Sequence, residues 1–133
     1  MTGWIHEYFG IVDRMDMEGY LARHTDDVQF RFANAPTTTG KEPIRAGLSQ
    51  LWGSIGGLRH DIVQTWDTDE AGISEANVVY TRKDGSQVGI PATTILRKRG
   101  NLVADVRIYM DLAPLFAPAA PQAEPQPVSA GAS

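Results

Sequence analysis

Asp13 and His60 are the two residues of this 133-residue chain whose types and placing best suit chemistry. Asp13 falls inside a predicted first helix, and His60 opens a predicted strand in the run Gly57-Leu58-Arg59-His60-Asp61-Ile62-Val63. A carboxylate that orients an imidazole fixes the ring tautomer and stabilises the imidazolium once a proton has been taken, which makes the ring a general base. Of the three histidines, His6, His24 and His60, only His60 sits in a segment that reads as a core strand. Strand alternation sets His60, Ile62, Gln64 and Trp66 against Arg59, Asp61, Val63 and Thr65. The first set is more apolar and is expected to face the interior. Asp13 shares a helix face with Phe9, and a carboxylate on a core-leaning face needs a partner. The plainer alternatives are a solvent-facing Asp13 and a His60 satisfied as part of the core.

The elements that must position this pair can be read from periodicity. Ile5, Tyr8, Phe9, Val12 and Met15 recur at helical spacing over about Ile5 to Arg14. Asp16 can cap a second, short helix from Met17 to about His24. Val28 to Phe32 alternates as a strand, and Asn34 to Gly40 reads as a loop. Pro43 starts a third helix with Ile44, Leu48, Leu51, Trp52 and Ile55 on its apolar face, ended by Gly56-Gly57. Four strands follow, at about Leu58–Trp66, Ile73–Lys83, Gln87–Arg97 and Leu102–Asp111. Asp84-Gly85 signals a two-residue hairpin that pairs Lys83 with Ser86 and sets Val79 opposite Ile90. Helices gathered before an antiparallel meander imply an α+β fold, a curved sheet wrapped around three N-terminal helices, whose cone leaves a mouth for a small molecule. Residues 1–117 are expected to form one domain, and the Ala/Pro-rich residues 118–133 a disordered tail.

Composition narrows the partners. The formal charge is −4, which gives no electrostatic reason to expect nucleic acid or an anionic membrane. No apolar run approaches the roughly 20 residues of a membrane span, and Met1 to Glu7 lacks the regions of a signal peptide. Cys is absent, which excludes thiol chemistry and fits a cytoplasmic location. The scattered histidines offer no metal-ligand spacing, and there is no glycine-rich phosphate or dinucleotide loop. Chemistry without metal or cofactor is therefore expected.

Four segments carry a resemblance to a known superfamily. They are Ile11-Val12-Asp13-Arg14-Met15-Asp16-Met17-Glu18, Asp26-Asp27-Val28, Gly40-Lys41-Glu42-Pro43-Ile44-Arg45 and Arg107-Ile108-Tyr109-Met110-Asp111. From about Trp4 to Phe116 the chain resembles the SnoaL-like, nuclear-transport-factor-like superfamily, which implies a cone-shaped, cystatin-like α+β barrel. That fold hosts isomerases, dehydratases, cyclases, epoxide hydrolases and non-enzymes. The first-helix tyrosine of ketosteroid isomerases matches Tyr8, but their base and acid aspartates fall near Phe32 and Thr93 and do not match. The Tyr, Asn and Asp of limonene epoxide hydrolases fall at Phe30, Phe32 and Ile108, again without a match. Scytalone dehydratase and the hexachlorocyclohexane dehydrochlorinase carry an Asp at the Asp13 position and a His at the His60 position, and both match.

With the pair so supported, the remaining candidates take supporting roles. Tyr8 can flank the same pocket and donate to a developing oxyanion. Trp52, Phe30 and Phe32 supply apolar walls, or are plain core. Asn34 can donate to a ligand carbonyl, or is a turn residue. Arg107 and Tyr109 share one face of the last strand and Val106, Ile108 and Met110 the other. Either the apolar set faces inward, or Arg107 and Tyr109 do, as anion or carbonyl binders. The expected function is acid/base catalysis (elimination, isomerisation or cyclisation) on a small hydrophobic, cyclic molecule. A non-catalytic binding module and a dimerisation module are the alternatives. A homodimer through the outer sheet face is expected in any case.

Overall fold

Helix α1 (Trp4–Asp13) buries Ile5, Tyr8 and Phe9, as its spacing predicts, together with Ile11, which the predicted stripe does not include, while Val12 and Met15 are half-buried. It ends in a reversal. The Met15 N–H donates to the Val12 carbonyl at 2.8 Å and the Asp16 N–H to the Ile11 carbonyl at 3.2 Å, with Met15 left-handed at φ 54°. These are the paired bonds of a Schellman ending, and they hold the last helical residue, Asp13, at a fixed height on its helix. Asp16 then caps helix α2 (Met17–Leu21) by accepting from the Gly19 N–H at 3.0 Å.

Those helices pack on a six-stranded curved, unclosed sheet in the computed structural model, which describes residues 3–117. Strand β1 (His24–Phe32) is followed by β2 (Thr38–Thr39), helix α3 (Lys41–Gly53), and the long strands β3 (Ile55–Asp67), β4 (Ala71–Arg82), β5 (Gln87–Arg99) and β6 (Leu102–Tyr109). A short α4 (Ala113–Phe116) closes the described chain. The spatial order is β2-β1-β6-β5-β4-β3. The α+β class holds, and β3 to β6 form the expected antiparallel meander. One pairing, β1 with β6, is parallel. The tail expected beyond residue 117 lies outside the described residues.

Four local expectations are corrected. Helix α2 stops at Leu21 rather than His24, because His24 turns its own ring nitrogen Nδ1 onto the Tyr20 carbonyl at 2.7 Å. The Arg23 carbonyl meanwhile accepts from Val103 of β6. His24 thereby opens β1 and is buried at 1% exposure, so His60 is not the only histidine on a core strand. Ile55 belongs to β3, and Gly56 is not a helix stop: a Cβ there would lie 3.1 Å from the Arg82 carbonyl oxygen, at an irregularity of the strand. The β4–β5 turn has three residues, not two. Arg82 pairs with Ser86, Gly85 takes φ +90°, and Asp84 accepts from both the backbone N–H and the hydroxyl of Ser86. Val79 consequently faces Gly89, and Val78 faces Ile90. Finally, Val63 is a bulge between Ile62 and Gln64. It flips the alternation, so Thr65 pairs with buried Ser74 while Trp66 turns outward, 44% exposed.

The helices and the concave sheet face enclose two apolar clusters that meet at Val12, Met17 and Leu48. Set into the first is a buried polar group. The Tyr8 hydroxyl oxygen lies 2.8 Å from both the Tyr20 hydroxyl oxygen and His24 Nε2. Because a carbonyl only accepts, His24 Nδ1 carries the ring proton toward Tyr20. Its Nε2 therefore accepts from Tyr8, and Tyr8 in turn accepts from Tyr20. Burial pushes the His24 pKa down from 6.5 to about 4, helped by nearby Lys41 and opposed by the backbone bond to Tyr20. The neutral ring is thus the folded form.

The pH consequence follows from linkage. Between pH 6.5 and 4 the unfolded chain binds a proton at His24 that the folded chain refuses. The stabilisation is complete above about pH 6.5 and is lost as the pH falls toward 4, roughly 3 kcal/mol in all. Urea unfolding across this window should show that slope, and His24→Gln should flatten it. An equal slope in the variant would assign the loss to other groups.

Candidate functional site

The site begins where α1 meets the edge of the sheet. Strand β3 has a neighbour on one side only, so the backbone N–H groups along its other side have no ladder partner. The Asp13 carboxylate fills that gap at His60. Its Oδ2 accepts from the His60 backbone N–H at 3.0 Å, and its Oδ1 lies 3.2 Å from the same nitrogen. The same Oδ1 lies 2.7 Å from His60 Nδ1. A carboxylate accepts, so the neutral ring carries its proton on Nδ1 and leaves the Nε2 lone pair free. Nε2 makes no hydrogen bond among the described residues. The ring leans on Phe9 at a centroid distance of 4.6 Å, and the side chains of His60 and Asp13 are 11% and 26% exposed. One carboxylate thus fixes the strand, the ring orientation and the tautomer together.

His60 lines a chamber of about 50 Å³ between the helices and the concave sheet face. Tyr8, Phe30, Phe32 and Trp52 line it as well. Phe30, Phe32, Leu48 and Leu51 also border a second cavity of about 530 Å³ toward Pro36, Pro43, Leu112 and Phe116. The small chamber and the larger vestibule therefore share an apolar partition. No Lys or Arg lines either one among the described residues, and no three His, Asp or Glu side chains there converge on a metal position.

Three residues expected at the site lie elsewhere. Asn34 is exposed in the turn after β1, where Ala33 has φ 53° and Ala35 N–H bonds the Phe32 carbonyl. Arg107 and Tyr109 point to the convex side. Arg107 bonds Asp105 at 2.8 Å, and Tyr109 is 55% exposed in a shallow outer groove with Val63 and Pro91. The apolar alternate, Val106, Ile108 and Met110, faces the chamber, because burying an arginine without a carboxylate in an apolar cone is costly. Tyr8 lines the chamber, but its hydroxyl proton is committed to His24, so it has none to give a ligand oxyanion.

The sequence reading missed Tyr20, His24, Tyr80 and Thr94. All but His24 line the chamber. Tyr20 and His24 stand four apart, a spacing readable as one helix face. Tyr80 alternates with Val78 and Ala76, an inward period of two. Thr94 is buried at 4% on β5.

The tautomer is directly measurable. Nitrogen-detected NMR of the neutral His60 ring should show the proton on Nδ1, and Asp13→Ala should abolish that preference. The same variant should cost about 1 kcal/mol of stability by leaving the part-buried His60 N–H unpaired. A proton found on Nε2 in the wild-type chain would remove the free lone pair from the chamber.

No curated protein matches this chain, but solved structures do. An NTF2-like protein of unknown function from Burkholderia pseudomallei superposes with TM-score 0.75 at 16% identity, over 84% of this chain and 91% of that one. TerC, co-crystallised with polyporic acid, gives TM-score 0.73 at 15% identity over 84% and 91%. An LEH-like epoxide hydrolase from M. tuberculosis gives 0.70 at 14% over 84% and 83%. At these identities the likeness shows the fold alone. The family is settled separately: residues 5–106 match the SnoaL-like domain, and the chain belongs to that family.

Proposed function

We propose that this chain is an acid/base enzyme working without metal or cofactor on a small, hydrophobic, cyclic molecule. His60 Nε2 removes a proton from a carbon next to a carbonyl or a leaving group, and Asp13 holds the ring and shares the imidazolium charge. The observation that carries this reading is the 2.7 Å contact between His60 Nδ1 and Asp13 Oδ1 at the wall of an apolar chamber. A purely structural histidine needs no unbonded ring nitrogen. Elimination, isomerisation and aldol-type cyclisation share this first step. The epoxide-hydrolase alternative is opposed by Phe30, Phe32 and Ile108, which make apolar wall where the resemblance would place polar catalytic groups.

The cavities also support a substrate class. A chamber of about 50 Å³ is smaller than the roughly 150 Å³ that holds a benzene ring, so a cyclic substrate must displace partition side chains and leave most of its body in the vestibule. Among the described residues no Lys or Arg lines either cavity, which disfavours a pre-charged anion. TerC was co-crystallised with a small molecule, in keeping with a ligand-holding cone here. The chief alternative is binding without catalysis, with the vestibule as the site.

A thermal-shift screen of neutral polycyclic ketones and alcohols, followed by turnover assays on the binders, tests the reading. His60→Ala should cut turnover by about 10²–10⁴. Asp13→Asn should lose much of the same activity, and the double variant little more than the worse single one, since the pair acts as a unit. A fully active His60→Ala chain would leave binding as the function.

Assembly forms part of the same proposal. The convex face exposes Val63 at 67%, Trp66 at 44% and Tyr109 at 55%, beside half-buried Ile73, Val79 and Ile95. We read this face as the contact of an isologous homodimer. Sedimentation should give a dimer at micromolar concentration, and Val63→Lys combined with Tyr109→Glu should give a monomer. A monomeric wild-type chain would rule the contact out.

A further inference from the structure

Proton removal by His60 leaves a negative oxygen on the substrate, and an apolar chamber must supply it with a hydrogen-bond donor. Few protons are available there. Those of Tyr8 and Tyr20 are used within the chain that ends on His24 Nε2. The protein face of that group therefore offers oxygen lone pairs rather than donors. Phe30 and the aliphatic walls offer none. Beside the indole N–H of Trp52, two hydroxyls remain, those of Tyr80 and Thr94.

Tyr80 is the better placed. Its side chain is on the concave face of β4, opposite Leu58 in register, two residues along the strand from Val78, which pairs with His60. The residue is 3% exposed and lines the chamber. A phenol buried to that extent ordinarily has an oxygen or nitrogen partner. Among the described residues this one has only the Met110 thioether sulfur, at 4.0 Å, a weak acceptor on an unbranched, adaptable side chain. Burial also pushes the phenol up to about 12, so it stays protonated through the physiological range.

Resting on the His60–Asp13 reading, we infer that Tyr80 is a catalytic residue whose hydroxyl donates a hydrogen bond to the oxyanion formed when His60 takes the substrate's proton. The step balances without a further reactant. The substrate C–H bond breaks, its proton goes to His60 Nε2, and its electron pair moves through the adjacent carbon onto the carbonyl oxygen. Tyr80 keeps its own proton and shares it with that oxygen in place of the Met110 sulfur. Collapse of the oxyanion then returns the pair to carbon or expels a leaving group. Thr94 is a lesser donor on the neighbouring strand.

The probe is 2-naphthol, whose ring can span partition and vestibule and whose naphtholate resembles the oxyanion. Its absorption spectrum separates the neutral from the ionised form, and naphthalene serves as the control without a hydroxyl. Wild-type chain is expected to bind 2-naphthol partly ionised. Tyr80→Phe should bind naphthalene as before, melt at an unchanged temperature, and lose about tenfold to a hundredfold in naphtholate affinity with a lower ionised fraction, the effect of one hydrogen bond to a charged oxygen. Thr94→Val should lose less. Unchanged ionisation in Tyr80→Phe, with a fall in His60→Ala, overturns the assignment and leaves the base reading intact. A fall in Tyr80→Phe with none in His60→Ala supports the donor and overturns the base. Wild-type chain that takes up neither probe overturns both.

Discussion

The three hydrogen-bonding contacts gathered by the Asp13 carboxylate are the constraint on which the site depends. An edge strand leaves every second N–H unpaired on its open side, and water usually satisfies them. Here one of them, at His60, is taken by a side chain at the last residue of α1. The helix end disfavours a negative charge at that position, since the macrodipole is negative there. A carboxylate kept at an unfavourable helix end is best explained by what it holds. It registers the helix against β3 and fixes the histidine ring in the same act. The left-handed Met15 belongs to the same arrangement, because the reversal it permits stops α1 where Asp13 can reach.

Two histidine clusters sit in this cone, and their chemistry differs by closure. His24 is enclosed: both ring nitrogens are bonded, one to a backbone carbonyl and one to a phenol, and burial keeps it neutral. Its hydrogen bonds run in a loop from the Tyr20 hydroxyl back to the Tyr20 carbonyl, so nothing in it is free to react. His60 is open: one nitrogen is bonded to a carboxylate, the other makes no hydrogen bond among the described residues, and the residue lines the chamber. The first cluster cements α1, α2 and β1, while the second ties the same helix to β3. Phe9 and Tyr8, adjacent on α1 and edge-to-face at 5.3 Å, join them.

What the sequence made legible follows from range. The stripe of α1, the cap at Asp16 and the alternation of Val28, Phe30 and Phe32 are set by neighbours a few residues away, and periodicity recovers them. The inward set of β6 could be named but not chosen, because pattern alone does not say which face meets the helices. The errors have long-range causes. His24 leaves its helix because β6, some eighty residues on, takes the preceding carbonyl. Trp66 faces outward because a bulge at Val63 inserts one residue into a pairing that the strand's own sequence does not record. Tyr80 was overlooked because an inward tyrosine reads as core, and only the poverty of its partner, a sulfur at 4.0 Å, separates it from an ordinary packed phenol.

The charge arithmetic of the chamber limits what can react in it. Asp13 already brings one negative charge to its edge. Two arginines of the nearby strands are spent on their own faces, Arg59 on Asp61 and Arg107 on Asp105. In the proposed reaction a neutral substrate passes its proton to His60 and leaves three charges of alternating sign, carboxylate, imidazolium and oxyanion. Each neighbouring pair attracts in a medium where water does not screen it. An anionic substrate would instead add a second negative charge with no cation opposite it until after the proton had moved. The imidazolium would then be shared between two anions while the remaining one lay in apolar surroundings. The arrangement therefore favours substrates whose charge appears only during the reaction, and it makes a neutral proton donor such as a phenol, rather than a lysine or arginine, the fitting partner for that charge. A permanent cation in so small a chamber would hold the Asp13 carboxylate to itself and release the histidine from its tautomer.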